Sequence, residues 1–81
     1  MDKKEFIKKM KEMLQKRLGE DYSVAEHSQV KNNKNLLSGL VIQRTGTDLG
    51  MVIYLDKFFE EYQKGNTLDE IAAALYKKIG E

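Results

Sequence analysis

The sequence predicts an α+β domain in which one N-terminal helix, a three-stranded antiparallel meander and two C-terminal helices follow in the order α-β-β-β-α-α, the helices packed on one face of the sheet. Three observations carry that reading. Apolar residues recur with a 3.6-residue period at both ends of the chain, they alternate or cluster in short runs in the middle, and the links between the middle runs are far too short for the crossovers that parallel strands need. The chain has 81 residues, enough for a single domain over 1–81 and too few for two.

From Lys3 to Leu18 the apolar positions are Phe6, Ile7, Met10, Met13, Leu14 and Leu18, one stripe of an amphipathic helix. Asp2 can cap it, Lys16 and Arg17 suit the negative end of its dipole, and Gly19 can take the left-handed stop. Lys4, Lys8 and Lys11 then stand on the opposite, solvated face. The stretch YSVAEHSQV, Tyr22 to Val30, has a period of two and reads as the first strand. LLSGLVIQRT, Leu36 to Thr45, reads as the second, with Leu40 and Ile42 on one face, and MVIYL, Met51 to Leu55, as the third. Between the first two lies VKNNKN, where Asn32 and Asn33 suit the positive φ angles of a tight hairpin turn and Lys31 and Lys34 flank it. TGTDLG, with two glycines and Asp48, joins the second to the third. Asp56 then reads as the cap of a short helix through Tyr62 that stops at Gly65. Thr67 and Glu70 form a capping box, and Leu68, Ile71, Ala72, Leu75 and Ile79 are the stripe of the last helix.

Composition narrows the function. There is no cysteine, which excludes a disulfide scaffold, a thiol nucleophile and thiolate zinc ligation, and fits a cytoplasmic protein. No apolar run is long enough for a signal peptide or a membrane span, so no membrane partner is expected. The net charge of +1 is unevenly spread: residues 1–20 carry seven Lys/Arg against four Asp/Glu, residues 56–81 four against six. That polarity can orient an encounter with a charged partner, but a net charge near zero argues against a strong nucleic-acid stripe.

Catalytic chemistry finds no constellation. His27 is the single histidine and has no obvious partner, so a surface strand role is expected for it rather than catalysis or metal binding. Glu60 and Glu61 diverge by about 100° on a helix and cannot converge on one small target. Gly46 and Gly50 precede a strand without a GKS or GKT, so they make no phosphate loop. A non-enzymatic domain without cofactor or metal is the expectation. Tyr54, Phe58, Phe59 and Tyr62 form an aromatic cluster whose first use in a chain this small is the core. These are more rings than one short helix can bury on one face, however, so one of them is expected to be exposed or to meet a partner, with Phe58, Phe59 and Tyr62 as the candidate anchors.

The series VKNN, GLVI, IYLDKFFEEYQKG and TLDEIA resembles a family of small proteins of unknown function from gut and other low-GC bacteria. The matching positions are Lys31, Asn32, Asn33, Gly39, Leu40, Ile42, Ile53, Tyr54, Leu55, Phe58, Phe59, Tyr62, Gly65 and Ile71, within roughly residues 30–75. The family pattern usually has a proline before the I-Y-L strand, where this chain has Gly50, Met51 and Val52. The resemblance implies no catalytic residues. It implies a setting on mobile elements, where small enzyme-free domains commonly inhibit host defence, anti-CRISPR proteins included. The partner expected is therefore a macromolecule, a protein first, met through Phe58, Phe59 and Tyr62 or the sheet edge. A nucleic-acid accessory using Lys4, Lys8, Lys11, Lys31 and Lys34 is the alternative; oligomeric state is left open.

Overall fold

The computed structural model describes the backbone of residues 1–31 and 34–80 and the side chains of residues 1–29 and 37–80. Helix α1 spans Lys3–Leu18, strands β1, β2 and β3 span Tyr22–Lys31, Lys34–Arg44 and Gly50–Tyr54, and helices α2 and α3 span Asp56–Gln63 and Leu68–Ile79. The architecture is the α-β-β-β-α-α meander that the periodicities predict, with sheet order β1-β2-β3 and antiparallel pairing throughout.

Local chemistry accounts for the boundaries. The Asp2 carboxylate accepts from the Glu5 amide at 2.8 Å and opens α1. The helix closes at Gly19, whose φ of 71° is a conformation that costs glycine little. A single 3-10 turn, Gly19–Asp21, then leads into β1. Between β2 and β3, Gly46 has φ 81°, and the Thr47 hydroxyl both donates to Arg44 O and accepts from Leu49 N, closing the turn. The capping box of α3 is complete, with Thr67 and Glu70 each satisfying the other's amide.

The core lies between α1, α3 and one face of the sheet. Phe6, Met10 and Leu14 of α1, Leu40 of β2, Leu55, and Ala72 and Leu75 of α3 are fully buried, and Val24, Ile42, Ile53 and Ile71 nearly so. Burying each large side chain contributes about 1.5–3 kcal/mol, which explains why the stripes of α1 and α3 and alternate residues of the strands all point into one layer.

Two expectations are corrected. Asp56 does not cap α2: it is the first residue of the helix, and Leu55 occupies the N-cap position without a side-chain cap bond. The reason is tertiary. Leu55 is committed to the core and its amide donates to Ser38 O at 2.8 Å, so the Asp56 carboxylate reaches across to β2, where it accepts from the Ser38 amide at 3.0 Å and from the Lys3 ammonium of α1. Burial opposes ionisation of Asp56. The hydrogen bonds from Lys3 and Ser38 and the Lys3 charge outweigh it and hold the carboxyl below its ordinary value. The second correction concerns the strand ends: β1 and β2 pair out to Lys31 opposite Lys34, past a register shift at Gln29/Val30, so β2 begins before Leu36. The Asn32–Asn33 turn assigned from sequence lies outside the described residues.

Candidate functional site

The aromatic helix turns out to be structural in most of its area. Phe59 and Tyr62 flank the buried Phe6 ring at centroid distances of 5.3 Å and 5.5 Å, and all three rings of α2 are half-buried against the core. Of the four rings Tyr54, Phe58, Phe59 and Tyr62, Tyr54 is the one that stands exposed. The chain turns sharply from β3 into α2, which lays this face of the helix over the end of α1 that carries Phe6, so even divergent rings find apolar neighbours. Lys4 and Lys8 are exposed on α1, as expected, while Lys11 is half-buried. Lys4 lines a cleft with Lys3, Ile7, Glu26, His27, Ser28 and Ser38, where lysines face a carboxylate, an imidazole and two hydroxyls rather than a uniform basic surface. Lys31 and Lys34 are placed by their backbone at the end of the hairpin.

His27 is half-buried on the helix-free face of the sheet, its ring 6.0 Å from that of Tyr54. The two rings stand on either side of Gly39 in the register His27–Gly39–Tyr54. A Cβ at Gly39 would collide with the Ile53 carbonyl and the Tyr54 Cα, so glycine lets β3 approach β2 and the two rings close over the gap. Among the described residues no group of three or more His, Cys, Asp or Glu side chains is arranged to hold a metal, and no helix is long and apolar enough to cross a membrane.

The exposed apolar surface gathers elsewhere. Leu49, Met51, Val52 and Tyr54 are 68%, 39%, 45% and 37% exposed, four neighbours in and just before β3. Their positions follow from pleating and register. Ile53 pairs with Leu40 and points into the core, so Val52 and Tyr54 point to the helix-free face. That face carries Ser23, Ala25, His27 and Gln29 from β1, Leu37, Gly39, Val41 and Gln43 from β2, and Gly50, Val52 and Tyr54 from β3. Among the described residues this face contains no Asp, Glu, Lys or Arg.

β3 is also an edge. Leu55 N donates to Ser38 O and Arg44 N to Leu49 O, so the odd-numbered residues of β3 bond inward to β2. By the antiparallel alternation Gly50, Val52 and Tyr54 direct their N–H and C=O groups outward. The other edge, β1, is closed at its start: the Gln15 side chain accepts from Val24 N at 3.0 Å and donates to Tyr22 O at 2.8 Å. Sequence reasoning missed Val52, Tyr54 and Leu49 as surface residues, although a signal was present. A meander leaves its first and third strands as edges, and the third here, GMVIY, has no charged residue.

Neither the search of curated proteins nor that of solved structures found a significant match. A family model matches residues 3–81, nearly the whole chain, and it spans every element that builds this surface. The chain belongs to the family of unknown function DUF5688.

Proposed function

We propose that this chain is a non-enzymatic protein-binding module whose docking element is the open edge of β3, with the uncharged sheet face beside it as the second contact. The observation that supports this most is the coincidence of three features at one strand: outward backbone groups without a partner strand, exposed Leu49, Met51, Val52 and Tyr54, and no charge to repel an incoming strand. Strand addition to such an edge takes its affinity from main-chain hydrogen bonds and its selectivity from alternate side chains. In the form suggested by the sequence resemblance, the bound protein is a cytoplasmic defence nuclease of a bacterial host and the module, carried on a mobile element, inhibits it by occupying a surface.

The test is affinity capture from a bacterial lysate with the tagged wild type, Val52→Lys and Tyr54→Lys, alongside Phe58→Ala, Phe59→Ala, Tyr62→Ala and a Lys4/Lys8/Lys11→Gln variant, each checked for folding by circular dichroism. Loss of the captured protein with the two β3 variants alone is the expected result. If those variants capture as the wild type does, the reading fails. If instead the lysine variant loses a nucleic acid, with a salt dependence that flattens, the target is a polyanion.

A further inference from the structure

Resting on that reading of β3, we infer that the strand occupying this edge in the free protein is β3 of a second copy, paired antiparallel about a twofold axis through Val52. The geometry is self-complementary along the whole strand. Centring the pair on Val52 sets Val52 against Val52, Gly50 against Tyr54 and Met51 against Ile53 of the other copy. Gly50, Val52 and Tyr54 are the residues whose amides and carbonyls face outward, so every position that falls in a hydrogen-bonded pair has both groups free to exchange. On the helix-free face each Tyr54, 37% exposed, faces a glycine, so no side chain obstructs the approach of the two strands beside its ring. On the other face Met51 gains an apolar neighbour in Ile53.

Charge points the same way. A twofold axis sets the central residue against its own copy, so a charge at that position would oppose its like, and charges of one sign elsewhere on the strand would gather across the pair. GMVIY has no charged residue. The β1 edge offers no such match, because Gln15 already occupies the outward groups at Tyr22 and Val24. The product is a continuous six-stranded sheet with the helices of both copies on one side. A pair of five-residue strands buries less than the roughly 800 Å² per partner of a standard stable interface, so the dimer is reversible and a tighter-binding strand can displace it.

The absence of cysteine makes the register directly testable. Opposed residues of a hydrogen-bonded pair have Cα atoms about 5.5 Å apart, within disulfide range. Under mild oxidation Val52→Cys should form a covalent dimer at least about tenfold faster than Ala25→Cys, an exposed control on the same face far from the axis. Sedimentation of the wild type at high micromolar concentration should show a monomer–dimer equilibrium, and Val52→Lys, which sets two ammonium groups together on the axis, should weaken it by about tenfold or more. A wild type that stays monomeric, or a dimer that neither Val52→Cys traps faster than the control nor Val52→Lys weakens, overturns the inference. Those failures leave strand addition by another protein standing, since that reading is lost only if the β3 variants retain the captured partner.

Discussion

The two edges of this sheet present the same backbone groups and are treated in opposite ways. At β1 the Gln15 amide stands in for a neighbouring strand, Glu26 brings charge, and a register shift at Gln29/Val30 disturbs the straight ladder. At β3 none of these devices is present between Gly50 and Tyr54, and Leu49, Met51, Val52 and Tyr54 add exposed apolar area. Unprotected edges are a liability in soluble proteins, which use charge, bulges and capping side chains against them. This domain applies those measures at one edge and not at the other, and the proposed docking element is the second.

The strongest way to break the contrast is to detach β3 from β2. Gly39→Val drives a branched side chain into the Ile53 carbonyl and should cost about 3 kcal/mol, read as a lowered urea midpoint, with the exposed strand lost along with its inner pairing. Next in size is removal of the guard on β1. Gln15→Ala leaves the Val24 amide and the Tyr22 carbonyl without their partner and should cost about 1–2 kcal/mol in chemical unfolding. It should also make the β1 edge associate, visible as increased light scattering that Val52→Lys does not cure.

Asp56 ties the end of β3 to β2 and α1, and its removal tests how far the open edge depends on a firmly held inner one. Asp56→Ala should destabilise by about 1 kcal/mol by orphaning the Ser38 amide, and Asp56→Asn, which keeps an acceptor, by less. Because the folded carboxyl titrates below its ordinary value, its contribution is fully present above about pH 4 and fades as the pH falls through the folded value. The wild type should therefore lose stability relative to Asp56→Asn on acidification, and an unchanged difference down to low pH would refute the linkage. The smallest effect on folding belongs to the residue given the largest role in binding. Val52→Lys should change stability by no more than about 0.5 kcal/mol in thermal unfolding, since the side chain already meets water.

Much of this is legible in the sequence. The stripe from Phe6 to Leu18, the Thr67–Glu70 box and the stop at Gly19 are local, carried by residues within a turn or two of one another, and they appear where their spacing puts them. The strands of the meander follow from alternation and short links. Asp56 was misread because a carboxylate before a helical stretch looks the same whether it caps its own helix or bonds an amide eighteen positions back at Ser38. Which ring of the cluster is exposed is not legible for the same kind of reason: the divergence of the α2 rings is visible in sequence, but the Phe6 ring that packs against Phe59 and Tyr62 comes from the other end of the chain.

By itself, then, the sequence determined the elements, their order and most of their caps, because helix period, strand alternation and turn chemistry act over a few residues. Only the tertiary structure decided which edge is closed and which is open. The Gln15 amide reaches Tyr22 and Val24 through the packing of α1 on β1, and Val52 and Tyr54 face away from the core because the register of β2 and β3 turns Ile53 toward it. Register and packing join residues far apart in the chain, and a slip of one position would exchange the two faces of β3 without altering a single local preference.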